Sequence, residues 1–161
     1  MSKKWLAALL LGTTVGAGAW AFAFPFIFNR PHEMVIVPEE DRFTPFALTI
    51  KAGETVRWVN KDTDDHTVVS DDVFNTAGNQ GTNQLLPGTD SNNGVPGTFD
   101  LHFSHPGTFV YFCRFHAHLD TDNQPVAPGP KGGIQDADGN FGTPMMGVIT
   151  VLPGFGFGRS G

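Results

Sequence analysis

The chain has 161 residues, a formal net charge of −6 and one cysteine. This length allows one ordinary domain plus an extension. The single cysteine excludes an intramolecular disulfide, multi-cysteine zinc ribbons and iron–sulfur clusters. The acidic balance argues against a nucleic-acid partner, because no basic patch is available to neutralise phosphates. Charged residues make up only 16% of the chain, whereas 20 glycines and 12 prolines indicate a turn-rich, all-β protein.

The amino-terminal segment, residues 1–28, is predicted to be a membrane anchor. Residues 5–28 form a run of 24 residues without a charge, directly after two lysines, and a helix of about 20 apolar residues spans a bilayer. A removed secretory signal is the alternative, because residues 21–23 (AFA) resemble a cleavage site. Both interpretations export the rest of the chain, since the lysines hold the amino end in the cytoplasm. We therefore expect a single-pass protein of the cell membrane, with its main domain on the periplasmic or extracellular side.

The remainder is predicted to be one β-sandwich domain, residues 43–153, after a linker and first strand (29–42) and before a flexible tail (154–161). About seven short runs with apolar or alternating patterns are separated by turn signals, as in such folds. The predicted strands are residues 34–37, 46–50, 55–60, 66–70, 99–103, 108–113 and 147–152. Two long segments, 71–98 and 119–144, are predicted loops, and ordered loops longer than about 15 residues are often functional.

The only cysteine lies at the end of an alternating strand in the sequence FVYFCRFH, with Cys113 three residues before His116. The two intervening residues are enough chain to curl the histidine back beside the thiol. A thiolate and an imidazole held in this way bind Cu(I), Cu(II) or zinc. Further ligands must come from elsewhere, and the candidates are His66, which begins a strand after a polar turn, and Met145 or Met146 before the last strand.

Three stretches of the chain resemble the cupredoxins, the plastocyanin and azurin family of type 1 copper proteins. They are LTIKAGETVRWVNKDTDDHTVVS (48–70), FSHPGTFVYFCRFH (103–116) and MMGVITV (145–151), which together cover 44 residues. Each stretch alone is a modest signal, but their order and joint occurrence are specific. The resemblance implies a Greek-key β-sandwich that binds one copper ion and uses its Cu(I) and Cu(II) states.

The resemblance also implies the ligands. His66 and His116 match the two histidine ligands, Cys113 the thiolate and Met145 the axial methionine of a Met-x-Gly pattern. Such a donor set suits both copper oxidation states, which favours electron transfer. Backbone groups between residues 60 and 62 are expected to contact the site. In the family the ring edge of the second histidine reaches the surface, where Phe115 and Pro144 would form an apolar rim.

The sequence departs from the family pattern in two ways. Between His116 and Met145 lie 28 residues, whereas the family usually has a short loop there, and Leu119 occupies the position of a closely spaced methionine. His118 follows His116 by two residues and could join the site. That arrangement would resemble red-copper proteins of the nitrosocyanin kind.

Three functions are therefore open. The favoured one is a membrane-tethered blue copper protein that carries single electrons between redox proteins, such as a c-type cytochrome and a membrane oxidoreductase. The second is a red-copper enzyme with an open copper position near His118. The third is a copper-binding subunit of a larger membrane complex. No catalytic triad, paired acid or phosphate-binding loop indicates another enzyme site.

Overall fold

The computed structural model describes residues 33–38, 40–71, 75–129 and 142–154. In these ranges the chain forms ten β-strands, which confirms the predicted all-β class. The strands are β1 Glu33–Val37, β2 Ala47–Lys51, β3 Glu54–Asn60, β4 His66–Val69, β5 Asn83–Leu86, β6 Gly97–Phe103, β7 Gly107–Phe112, β8 His118–Leu119, β9 Pro125–Val126 and β10 Met146–Leu152. No helix within the described ranges has the length and hydrophobicity needed to cross a bilayer. The predicted anchor, residues 1–28, lies outside them.

Two main sheets make up the domain. One has the strand order β1-β3-β6 and the other the order β2-β10-β7-β4-β5, while β8 and β9 form a separate two-stranded ribbon. The pairs β1–β3 and β2–β10 are parallel, and the other pairs are antiparallel. β1, which the sequence placed with the linker, thus lies in the same sheet as β3 and β6.

Aromatic side chains from both sheets fill the space between them. Trp58 of β3 stacks on Phe99 of β6, with ring centroids 5.6 Å apart, and meets Tyr111 of β7 edge-on at 5.3 Å. Phe103 of β6 packs edge-on against Phe109 of β7 at 5.1 Å. Such pairs stabilise a fold by about 0.5–1.5 kcal/mol each beyond the burial of their surface. The core therefore fixes β7, and with it the cysteine that follows β7, against the opposite sheet.

The two predicted loops contain short strands that the sequence pattern did not indicate. β5 lies within residues 71–98 and pairs with β4, and β9 lies within residues 119–144 and pairs with β8, which begins one residue before that segment. Three of the four residues of β5 are exposed, so this edge strand has no alternation of apolar and polar residues. β8 and β9 have two residues each, which is too short for any period to be seen.

Candidate metal centre

Two neighbouring strands of the five-stranded sheet bring the predicted ligands together. His66 is the first residue of β4, and Cys113 directly follows β7. β4 and β7 pair through Val69 and Phe112. A backbone hydrogen bond of 3.1 Å, from the His116 N–H to the Cys113 carbonyl, then closes a turn that returns His116 to the cysteine. The ligand atoms of the two histidines and the cysteine all lie within 4.8 Å of one another.

Both imidazoles present the same nitrogen to the thiol. The Nδ1 atoms of His66 and His116 are each 3.7 Å from the Sγ of Cys113, and the two ring centroids are 5.1 Å apart. His66 and Cys113 are fully buried, whereas 23% of the His116 side chain is exposed. The three soft or intermediate donors thus converge on one point, and one ring remains in contact with solvent.

Backbone hydrogen bonds place Met145 beside Cys113 and His116, although 28 residues separate it from His116 in the sequence. Its carbonyl accepts a hydrogen bond from the Cys113 N–H at 2.9 Å, and its N–H donates to the His116 carbonyl at 3.2 Å. Its side chain is fully buried. The segment between His116 and Met145 therefore begins and ends at the same place in the fold, so its length does not keep these two residues apart.

The other candidate ligands lie elsewhere. His118 is exposed in β8 opposite Val126 and is not in the cluster of converging ligand atoms. Met146 is the first residue of β10, half-buried and opposite Phe112. His102 and His105 are exposed.

Carboxylates face the outer nitrogen of each imidazole. The Nε2 of His66 lies 3.1 Å from Oδ2 of the buried Asp62. Because an ionised carboxylate only accepts hydrogen bonds, Nε2 donates to Asp62, and Nδ1 is the nitrogen that faces the thiol and can bind a metal. Oδ1 of Asp41 lies 3.7 Å from the Nε2 of His66 and 3.6 Å from that of His116.

The loop that leads into His66 is fixed by its own polar residues. The side chain of Asn60 donates to the carbonyls of Asp64 and Leu86 and accepts from the Asp62 N–H. Asp65 accepts hydrogen bonds from the Gly88 N–H, at 2.7 Å, and from a serine hydroxyl of the facing loop. These bonds hold the carboxylate of Asp62 and the start of β4 in one arrangement.

The electrostatics of the cluster favour a thiolate. Burial raises the pKa of Cys113, but hydrogen bonds from His116, His66 and two backbone N–H groups outweigh that effect and lower the pKa to about 5. Burial lowers the pKa of His66, yet its contacts with Cys113 and Asp62 raise it overall. Cys113 is also the main cause of the raised pKa of His116. Since the thiolate and not the thiol is the metal ligand, the cysteine is prepared for binding.

The donor set fits copper. Two imidazole nitrogens and a thiolate form a trigonal arrangement of the kind that copper electron-transfer sites use, and a thioether beside it favours copper over zinc. The cluster is buried beneath one partly exposed ring, which keeps most solvent out. Neither Asp62 nor Asp41 is needed as a ligand, because both face the far edges of the rings.

Comparisons with known proteins agree with this geometry. The sequence model described as "copper binding proteins, plastocyanin/azurin family" matches residues 32–121. Plastocyanin of Scenedesmus fuscus is 36% identical over 74 residues, which cover 46% of this chain and 74% of that protein. The chain therefore belongs to the plastocyanin/azurin family and is a copper-binding cupredoxin.

Solved structures with a similar fold include two cupredoxins. A purple cupredoxin from Nitrosopumilus maritimus is 21% identical, with a TM-score of 0.47, over 74% of this chain and 99% of that chain. Amicyanin from Paracoccus versutus is 19% identical, with a TM-score of 0.43, over 74% and 79% of the two chains.

The sequence led to the metal-binding residues but not to all of their neighbours. Residues 60–62 do contact the site, but through the side chain of Asp62, which faces Nε2 of His66; the Asp62 N–H bonds to Asn60 instead. Asp41 was missed because it precedes the matching stretches and belongs to no motif. Its only signal would have been a carboxylate in a turn between the first two strands.

Proposed function

We propose that this protein is a membrane-tethered carrier of single electrons on the extracytoplasmic side of the cell membrane, with a type 1 copper site formed by His66, Cys113, His116 and Met145. The convergence of both Nδ1 atoms on the Cys113 thiol is the observation that supports this proposal most strongly. When copper is bound there, it supplies one-electron chemistry, because the donor set suits both oxidation states.

The protein's own residues limit rearrangement at the site. Cys113 is fixed by the backbone bond to Met145, and His66 by the bond of its Nε2 to Asp62. His66 begins β4 and Cys113 follows β7, two strands of the same sheet. Large aromatic rings fill the core between this sheet and the opposite one. A rigid set of ligands needs little reorganisation when an electron arrives or leaves, which is the property that a carrier requires.

The exposed side of the site supports docking of a redox partner. Phe115 is 50% exposed, beside the partly exposed ring of His116. A groove of about 260 Å³ begins at Phe115 and Arg114 and continues along Leu85 of β5. The exposed Phe115 beside the redox centre suits brief contact with a protein such as a c-type cytochrome, and the net charge of −6 attracts basic partners over longer distances.

A redox titration of the copper-loaded protein tests the carrier function. We expect one reversible one-electron transition, and rapid oxidation of the reduced protein by a basic c-type cytochrome. The Phe115→Ala variant should keep the transition but slow the exchange of electrons, whereas Leu152→Ala, an exposed position at the end of β10 that is far from Met145, should change neither. An irreversible transition, or turnover of a small oxidant such as nitrite by the protein alone, would favour an enzyme.

The axial position separates the carrier from the red-copper alternative. Met145→Leu should change the absorption spectrum of the copper-loaded protein, because Met145 lies against both Cys113 and His116. His118→Ala should change it much less, since His118 lies outside the cluster, and so should Met146→Leu, since Met146 lies in β10 opposite Phe112. If His118→Ala has the largest effect, the site is rich in nitrogen and the enzyme is the better proposal.

The membrane anchor is proposed from the uncharged run in residues 5–28. We expect the native protein to stay in the membrane fraction after washing with high salt, since screening does not displace a segment of about 20 apolar residues. Release by salt, or an amino terminus near residue 24 in the mature protein, would indicate a cleaved signal.

A further inference from the structure

Asp41 is the charged residue with the closest approach to both histidines at once. It lies in the turn between β1 and β2, outside the matched ligand motifs. One oxygen, Oδ1, is 3.7 Å from the Nε2 of His66 and 3.6 Å from the Nε2 of His116. The Nε2 proton of His66 is directed to Asp62 at 3.1 Å. Among the described residues, Oδ1 of Asp41 is therefore the carboxylate oxygen that faces the outer edge of His116, at a distance slightly longer than a hydrogen bond.

The turn that carries Asp41 is held on both sides. Ile36 and Thr44 exchange two backbone hydrogen bonds of 2.8 Å across it. Phe43 is buried and packs edge-on against Tyr111, with ring centroids 4.8 Å apart. Asp41 itself has a φ of 40°, a left-handed conformation that is uncommon for residues other than glycine but tolerated by Asp and Asn. The position of the carboxylate is thus set by the fold, and not by a freely moving surface loop.

We propose that Asp41 is a positioning residue of the copper site, which orients the ring of His116 through its Nε2 edge and lowers the reduction potential of the bound copper. This inference rests on the proposed function. A carboxylate behind a ligating imidazole fixes the tautomer and increases the basicity of the ligand. A negative charge near both rings favours the more positive oxidation state by direct Coulomb attraction. The side chain of Asp41 is 39% exposed, so salt weakens the charge effect.

The first experiment compares reduction potentials in the full-length, copper-loaded chain. Asp41→Asn keeps the shape and tolerates the same φ while removing the charge, and we expect the potential to rise. Glu33→Gln is the matched control, because it removes an exposed carboxylate at the end of β1 that is away from the site. Its potential should equal that of the unaltered protein. High salt should reduce the difference caused by Asp41→Asn.

A second experiment needs no copper and tests orientation separately. In the metal-free protein, the ring ¹⁵N shifts of His116 report which nitrogen carries the proton. Asp41→Gly removes the whole carboxylate and accepts the positive φ, and we expect it to reduce the share of His116 protonated at Nε2, relative to the unaltered protein and Glu33→Gln.

The outcomes distinguish this inference from the function on which it rests. If the unaltered protein forms no coloured copper site, the proposed function fails, and the ¹⁵N shifts still decide whether Asp41 orients the ring. If Asp41→Asn and Glu33→Gln have equal potentials, the charge effect is wrong. If Asp41→Gly leaves the shifts of His116 unchanged, the positioning role is wrong as well.

Discussion

Cys113 shows how much of the site depends on a single side chain. Buried among apolar residues, a thiol would have a raised pKa, yet hydrogen bonds from two imidazoles lower the pKa of Cys113 to about 5. At neutral pH we therefore expect the folded, metal-free protein to hold this sulfur as a thiolate that accepts hydrogen bonds from the two imidazole rings. A metal ion that binds there displaces a proton from the rings and not from the sulfur.

This state can be titrated directly, because the chain has one cysteine. The ultraviolet absorbance of the thiolate in the metal-free protein should be present at neutral pH and disappear as the pH falls through about 5, since acid protonates the sulfur. In His116→Ala the midpoint should move upward, because one of the hydrogen bonds that lower the pKa is lost. A midpoint near the ordinary value for cysteine, about 8.5, would show that the imidazoles do not stabilise the thiolate.

Some residues at the site could be predicted from the sequence because local chain geometry places them. The short spacing of Cys113 and His116 leaves few conformations, and His66 begins a strand at a recognisable turn. The approach of Asp41 depends on how the turn after β1 folds over the end of the other sheet. This contact is part of the tertiary structure, and no periodicity in the sequence predicts it.

At the scale of elements, β7 and β10 form the rigid base of the site. The antiparallel pair places Met146 opposite Phe112 and Gly147 opposite Tyr111. A Cβ atom on Gly147 would lie 2.4 Å from the hydroxyl oxygen of Tyr111 and 2.5 Å from Cζ. The glycine of the Met-x-Gly pattern therefore makes room for a fully buried tyrosine ring.

Gly147→Ala should consequently destabilise the metal-free protein by about 1–3 kcal/mol, the usual cost of overpacking a core. Chemical denaturation measures the free energy of unfolding, and Thr150→Ala, an exposed position on the same strand, is the control. Adding Tyr111→Phe to Gly147→Ala should recover part of the loss, since the closest clashing atom is removed. Equal stabilities of Gly147→Ala and Thr150→Ala would contradict the packing argument.

The seven predicted strands all occur, and their ends lie within two residues of the observed ones. They were predictable because each buries alternate or continuous apolar residues against the opposite sheet. β5 was missed because hydrogen bonds to β4 form it, and three of its four side chains are exposed. Part of the second long segment, residues 130–141, lies outside the described residues.

At the scale of the whole molecule, the sandwich presents the copper site at the surface only through the edge of one ring. His66, Cys113 and Met145 are fully buried, and His116 is partly exposed beside Phe115. An electron can therefore be exchanged with a docked protein while the metal remains shielded from water. Family membership made this arrangement predictable from sequence, whereas charge and hydropathy alone indicated only an acidic, exported β-protein.

We expect one copper ion to bind through the thiolate of Cys113 and the two histidines, His66 and His116. Stepwise addition of Cu(II) to the metal-free, full-length protein in detergent, followed by absorption and electron paramagnetic resonance spectra, tests it most directly. We expect an intense thiolate-to-copper charge-transfer band that saturates at one copper per chain. Cys113→Ser should abolish the band, because a serine oxygen does not replace the soft thiolate, whereas the exposed His105→Ala should leave it intact. Full colour in Cys113→Ser, or no band in the unaltered protein, would contradict the assignment.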